Sequence, residues 1–406
     1  MIRCAAAKEI LMPNKPPSSY AAKWVLGETP SRYFIWRGPG SREMNFASTV
    51  DLADVVPNDR FYIHNRAMPP SIDVSSWSLA VHGSAAGAPK TFTYDELTDP
   101  KQFEPVTIRR VLDCGANGRA FFPKFPPPPQ SWPLPVGFTE WTYGTMGAAE
   151  WTGVRLRDVL AAAGAHDAVA IKLTGLDRIT VQNDPASAPH KAPYEHVIPI
   201  DKALADDSLL VYEMNRETLP VDHGYPLRAF FSGWGGNTAV KWLGAIEASA
   251  TAIPVPVTQV NQVLTGPDYP QPVPPTVQNP KSAFELGWNA TLMEGSVTLT
   301  GRAWSADATV TGVDVHIERY GPDGWTALGS GWQPATLLSA PEPKMWVRFA
   351  IPWDAAAGAY RLSCRASDDQ GNAQPAPEDV VWNQHGLHYN GFVRHPVTVL
   401  PMTNMP

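Results

Sequence analysis

A chain of 406 residues is long enough for two substantial cores, and 44% hydrophobic residues exclude a disordered protein. A net charge of −7 with no Lys/Arg run argues against nucleic acid or an anionic membrane as the main partner. Three cysteines, Cys4, Cys114 and Cys364, are neither a disulfide framework nor a zinc cage.

The 42 prolines and 15 tryptophans predict strands and long ordered loops rather than long helices. Nothing in the sequence is apolar for long enough to span a bilayer. The N-terminus, MIRCAAAKEILMPNKPPSSY, lacks the apolar core of a signal peptide. As written, the chain is cytoplasmic, or periplasmic if a signal has been removed. Residues 1–54 are rich in Pro, Gly and aromatics without periodicity, and are expected to form an extended arm. A strand over Arg60 to Asn65 delivers His64, Asn65 and Arg66 to a loop. WSLAVHG, residues 77–83, alternates as a half-buried strand. A short helix with an acidic first turn follows at Thr93.

The stretch VTIRRVLDCGANGRAFF, residues 106–122, is a buried strand running into Cys114 and then a flexible turn. A free cysteine beside an apolar strand is by default a small core hydrophobe. Arg109, Arg110, Arg119 and Lys124 surround it in sequence, and cations lower a thiol's pKa toward the thiolate that binds soft metals. Next comes PKFPPPPQSWPLP, a stiff proline loop suited to a cavity rim. In TGVRLRDVLAAAGA, Leu156, Val159, Leu160 and Ala163 share a helical face, and Gly164 stops the helix. Further strands are expected near Val169 to Leu173, Leu209 to Tyr212, Leu227 to Phe231 and Val240 to Glu247, with a short helix near Lys202.

Composition shifts at Ala252. A proline-rich linker runs over 252–282, and beyond it the chain reads as short strands separated by turns, the signature of an antiparallel β-sandwich. The expected class is therefore α+β, with a mixed domain over 55–251 and an all-β, immunoglobulin-like sandwich over 283–406.

Several motifs occur in a fixed order: DCGANGRAFF, WTYGTMGAAEWTGVRLRDVL, YEMNRETLPVDHGYPLR, GNTAVKWLGAIE and GRAWS. Together they resemble the sulfite oxidase family of molybdopterin enzymes, most nearly its bacterial sulfite dehydrogenase-like members. The likeness runs from about Pro57 to the C-terminus. It implies a molybdenum cofactor domain followed by a sandwich through which two copies pair, and it makes Cys114 the protein ligand to molybdenum. His223 and Arg228 match positions that bind the pterin, Lys241 a phosphate contact, and Asp177 an acid beside the pterin; Asn65 joins this set. Arg119 and Trp141 fall at pocket positions, and Arg394 at a further pocket arginine. Where the family commonly reads Arg-Asn-His, this chain reads His64-Asn65-Arg66, so an imidazole replaces the anion-binding guanidinium. Tyr269 is the candidate for the family's pocket tyrosine.

The activity implied is oxidation of sulfite to sulfate. No haem-attachment motif is present, so electrons are expected to pass to an external acceptor such as a cytochrome. Two rivals stay open: the same site acting on another sulfur compound or as a reductase, and a non-enzymatic sandwich protein with Cys114 in its core. Hydrolysis finds no Gly-x-Ser-x-Gly elbow, and His385 and His388 have no defensible zinc-site partners.

Overall fold

The computed structural model describes residues 31–37, 40–122, 141–181 and 188–402. Cys4, Lys124 and the proline loop lie outside the described residues, as do the first 30 residues of the arm.

The first half is built on two sheets. One has the spatial order Glu195–Pro199, Ala170–Gly175, Leu243–Ser249, Ser78–His82, Lys90–Thr93, and is antiparallel except where Leu243–Ser249 meets Ser78–His82. Its alternation is the one the sequence predicts: Leu79 and Val81 are buried, while Ser78, Ala80 and His82 are not. The other sheet is centred on Met146–Arg155, flanked by Val106–Asp113 and Ser208–Met214, with Glu217–Thr218 and Arg228–Phe231 on the far side. Leu79, Ile171 and Ile246 of the first sheet pack with Val154, Leu210 and Phe231 of the second in one core. Leu156, Val159 and Leu160 of the helix Leu156–Ala162 join it.

α-Helix is confined among the described residues to Tyr94–Thr98, Leu156–Ala162 and Ile200–Ala203, so the architecture is strand-dominated. Each helix is stopped early. Thr93 caps the first by accepting from the Glu96 N–H while Glu96 returns to the Thr93 N–H, and the turn ends at Asp99. Gly164, at φ +73°, follows the second.

The second half is two sheets around one core. Lys281–Phe284, Gly295–Trp304, Trp346–Ala355 and Thr336–Leu337 form one; Ala290–Met293, His395–Leu400, Gly358–Asp368, Val310–Gly321 and Gly324–Ala327 lie in order in the other, with Gln333–Pro334 also on Val310–Gly321. Phe349, Leu362 and Val397 fill the space between, with Cys364 among them as an ordinary buried thiol pushed up to about 12 by burial.

Two stretches are more ordered than the sequence suggests. The segment 252–282 forms the hairpin Leu264–Gly266 with Tyr269–Val273. Thr258, Gln259 and Gln262 are buried against Glu195, Val197 and Tyr194. Near the N-terminus, Phe34–Trp36, Ser41–Met44 and Ile63–His64 make a small sheet. The strand expected from Arg60 shortens to Ile63–His64 because the Arg60 and Phe61 N–H groups both turn back to the Pro57 carbonyl. A third core joins the halves: Trp304, Trp346 and Tyr389 of the second pack with Val111, Leu112 and Tyr143 of the first. The cysteine strand therefore ends at the seam between them.

Candidate active site

Val106–Asp113 pairs in register with Met146–Arg155, and its last three residues are fully buried. The chain then turns sharply. The Cys114 N–H donates to Thr145 O at 2.9 Å, Asn117 N–H to Cys114 O at 2.8 Å, and Gly118 N–H to Thr142 O at 3.0 Å. Gly118 has φ +81°, and a Cβ there would lie 2.8 Å from the Tyr143 ring, so glycine is required twice over. Asn117 braces the turn from inside, its amide donating to Tyr143 O at 3.0 Å and Thr145 Oγ1 at 3.2 Å.

This turn holds Cys114 at the wall of a cavity of about 450 Å³. Nine of the residues singled out from the sequence line it: Cys114, His64, Asn65, Arg119, Trp141, Asp177, His223, Arg228 and Lys241. Arg228 comes from a strand of the second sheet and His64 from the N-terminal sheet; the other seven come from loops and turns. His64 is set by pairing of its strand with Ser41. Its Nδ1 lies 3.6 Å from Cys114 Sγ, and its ring is 4.9 Å from that of the buried Trp141. Burial, helped by Arg66, Lys241 and Arg119, lowers the imidazole to about 3, so it is neutral.

The remaining walls are rich in cations. Arg37, Arg66, Arg119, Arg228 and Lys241 line the cavity against one carboxylate, Asp177. Lys241 Nζ donates to Asp222 O at 2.7 Å, to His64 O at 3.4 Å and to the Asn65 side-chain oxygen. Burial first, and Arg228 second, pull this ammonium down to about 7. Burial likewise lowers Arg228 and Arg119 to about 10. Arg228 donates to His223 O at 3.1 Å, and Arg119 to Gly386 O at 3.1 Å. His223 is buried against the edge of Phe61 and held neutral by burial. Asp177 is raised by burial, opposed by backbone N–H groups and by Lys241.

Some expectations are corrected. Arg394 does not line the cavity; it forms a two-pronged pair with Glu378 at 3.1 Å on the outside of the second half. Tyr269 lies in the 252–282 hairpin and is not a wall residue either. The lining tyrosines are Tyr62 and Tyr194. Tyr62 directly precedes the strand that carries His64, and Tyr194 bonds Asn237 O and Gln262 Oε1. The thiol is pushed up rather than down, because burial outweighs Arg119. Arg109 and Arg110 do not help it, being drawn off to Asp54 and Glu342 and to Ser232 and Asp207. Arg37, Asn237 and Gln262 were also missed. Asn237 sits in the motif GNTAVKW and was legible there; Gln262 comes from the proline-rich stretch, where no local pattern marks it.

The cavity is lined by buried polar atoms without protein partners among the described residues: Asn65 Nδ2, Asp177 Oδ1, Arg228 Nε and both amide atoms of Asn237. Orphan polar atoms cost free energy unless a ligand or water satisfies them. Donors and acceptors facing one another across a cation-rich space suit a flat polar heterocycle carrying a phosphate. No group of three or more His, Cys, Asp or Glu gathers among the described residues. A pterin dithiolene would give a metal at Cys114 further soft sulfur donors beside the thiolate. The residues fit a molybdenum–molybdopterin group.

Residues 65–255 match the oxidoreductase molybdopterin binding domain family. Mouse mitochondrial sulfite oxidase is 30% identical over 375 residues, 86% of this chain and 62% of that protein. Chicken sulfite oxidase is 28% identical over 403 residues, covering 93% and 81%. The chain thus spans less than two thirds of the length of the mouse protein. The crystal structure of the sulfane dehydrogenase SoxCD from Paracoccus pantotrophus superposes with a TM-score of 0.69 at 22% identity, covering 94% of this chain and 90% of that one, which shows a shared fold. No helix among the described residues is long and apolar enough to cross a membrane.

Proposed function

From a chain that belongs to the molybdopterin oxidoreductases of the sulfite oxidase type, we propose an enzyme that oxidises sulfite to sulfate and passes the two electrons to a separate protein. The observation that carries this is one thiol, Cys114, at the wall of a cavity lined by five cations and by unpaired polar atoms. When bound at Cys114, the molybdenum cofactor supplies two-electron oxygen-atom transfer; overall, sulfite and water give sulfate, two protons and two electrons.

The chain's own residues then have separate tasks. Cys114 anchors the metal as a thiolate, and coordination overcomes the burial that otherwise keeps its proton on. Lys241 and Arg228 hold phosphate, each regaining a counter-charge that burial denies it now. Asn65 and Asp177 satisfy the polar edge of the pterin with the atoms left unpaired in the cavity, and His223 adds its ring to the same wall. Arg119, a cation on the cavity wall, orients the substrate anion. Trp141 closes one side and excludes water. The acceptor is a separate cytochrome, and two copies pair through the 283–406 sandwich; the family resemblance supports both steps.

The test is protein made in a cofactor-competent host, assayed for molybdenum per chain and for sulfite-dependent reduction of cytochrome c. Cys114→Ser is expected to lower turnover by ~10³-fold or more, as removal of a group that acts as a unit with others does. Protein without molybdenum from such a host would overturn the reading, and a monomer at working concentration would overturn the pairing.

One observation favours a second substrate. His64 is neutral and lies 3.6 Å from the sulfur, where the family has a guanidinium, so the innermost pocket is less positive than sulfite alone would call for. Comparing kcat/KM for sulfite and thiosulfate with loaded protein separates the two substrates.

A further inference from the structure

The turn that carries Cys114 is tied to the first half through its backbone and the Asn117 amide nitrogen, while the second half holds the Asp113 carboxylate and the Asn117 side-chain oxygen. Asp113 Oδ2 accepts from Lys281 Nζ at 2.9 Å and from Trp304 Nε1 at 3.0 Å. The same ammonium reaches Asn117 Oδ1 at 3.4 Å. Lys281 therefore touches the residue before Cys114 and the residue three places after it, the two ends of the turn. Both Lys281 and Asp113 are wholly buried. Lys281 and Trp304 are register partners on adjacent strands, so one rigid ladder delivers both donors to one carboxylate. From the same half, the His388 N–H donates to Gly115 O at 2.7 Å.

An ion pair is a poor way merely to glue two halves together. Taking both charges out of water costs about what their attraction returns, and an apolar pair of similar volume would pack at least as well. What the pair adds over an apolar contact is direction. A carboxylate and an amide oxygen that must share one ammonium fix the approach of the turn between them.

We propose that Lys281 is a positioning residue, clamping Asp113 and Asn117 so that the Cys114 side chain points into the cavity, and that the cofactor site is incomplete without the second half of the chain. This rests on the reading of Cys114 as the metal ligand. Lys281 touches no substrate or cofactor atom and acts only through the turn.

The test uses the full chain prepared without cofactor, and the double variant Lys281→Met/Asp113→Asn. The neutral pair avoids the stranded charge that either single change would leave. It also removes together the opposed electrostatic influences of Asp113 and Lys281 on the thiol. Labelling by iodoacetamide at fixed pH is followed separately at Cys114 and Cys364 by peptide mass. Cys364, buried in the sandwich core, reports general loosening. The expected result is labelling of Cys114 faster by ~25-fold, the equivalent of about two lost hydrogen bonds, with Cys364 unchanged. Trp304→Phe keeps the bulk, removes one donor to Asp113, and gives a smaller rise of about fivefold, one hydrogen bond's worth. In a cofactor-competent host, the double variant should also retain less molybdenum per chain than the parent. Cys114 labelling at the parent rate in both variants, or a parallel rise at both cysteines, would overturn the proposal. Since labelling involves neither metal nor substrate, its result stands apart from the success or failure of the sulfite reading.

Discussion

Buried cations flank Cys114 on two sides, and the two sides follow different rules. On the side of the second half every buried cation has a carboxylate. Lys281 meets Asp113, and Arg302 meets Glu285 while also donating to the carbonyls of Thr49, Leu52 and Ala53. On the cavity side, Lys241 and Arg228 donate only to neutral oxygens, and neither has a carboxylate within ion-pair distance among the described residues. The pulls on their pKa values follow: Lys241 is dragged to about 7 and Arg228 to about 10, with burial first among the causes. A paired buried charge has done its work once the chain is folded. An unpaired one is a cost the fold carries until an anion arrives.

That difference makes opposite predictions for outwardly similar substitutions. Lys281→Met strands Asp113 in a closed interface and should cost about 3–5 kcal/mol of stability, read as a fall in the urea midpoint at unchanged slope. Arg302→Met should cost less, because Glu285 keeps a second guanidinium, that of Arg348 at 2.8 Å. Lys241→Met removes a cation with no carboxylate within ion-pair distance among the described residues, so the cofactor-free chain should lose less, about 1–3 kcal/mol for the oxygens left unpaired. Its loss should appear instead in cofactor retention, weaker by about 10–100-fold, measured as molybdenum remaining after dialysis. Equal stability losses for Lys241→Met and Lys281→Met would erase the distinction between the two sides.

The same distinction explains what was legible in the sequence. The motifs DCGANGRAFF, HGYPLR and VKWL carried the cavity residues because a site built on unpaired groups keeps them close to strand ends and glycine turns, where local pattern shows. The strands themselves were legible from period-two alternation, as in SLAVH, and the helix over Leu156–Ala162 from its apolar face. The clamp was not legible. Lys281 stands in a proline-rich stretch, 168 residues along the chain from Asp113, and nothing local separates it from a surface lysine. Arg37 and Gln262 were missed for the same reason, since each reaches the cavity only through long-range packing of segments that read as arm and linker. The thiol's proton affinity was misjudged because neighbours in sequence were counted as neighbours in space, and Arg109 and Arg110 are engaged elsewhere.

A buried base with no charged partner among the described residues sharpens the comparison further. His196, on the strand Glu195–Pro199, is 2% exposed, and burial alone lowers it to about 3. Its unfolded value is about 6.5. Because the folded pKa is depressed, the stability this group permits is complete above pH 6.5 and is lost progressively as pH falls from there toward 3. The loss is about 1.4 kcal/mol for each pH unit, and His196→Gln should remove that part of the slope in denaturation curves between pH 6.5 and 5. An unchanged slope would mean that His196 takes up a proton in place, and that burial without a partner is less costly here than the cavity cations imply.

The smallest effect is expected at Arg394, which the family resemblance placed in the pocket and the structure places outside it. Its guanidinium pairs with Glu378 on a face where the two side chains are 35% and 61% exposed. Water screens such a pair, and ordering two long side chains offsets much of the attraction, so Arg394→Ala should shift stability by no more than about 1 kcal/mol. KM and kcat should both stay at the parent values, in contrast to Arg119→Ala, which removes a guanidinium from the cavity wall and should raise KM for an anionic substrate. A rise in KM for Arg394→Ala matching that of Arg119→Ala would return Arg394 to the pocket, and would mean that the second half supplies the site with a charge as well as a clamp.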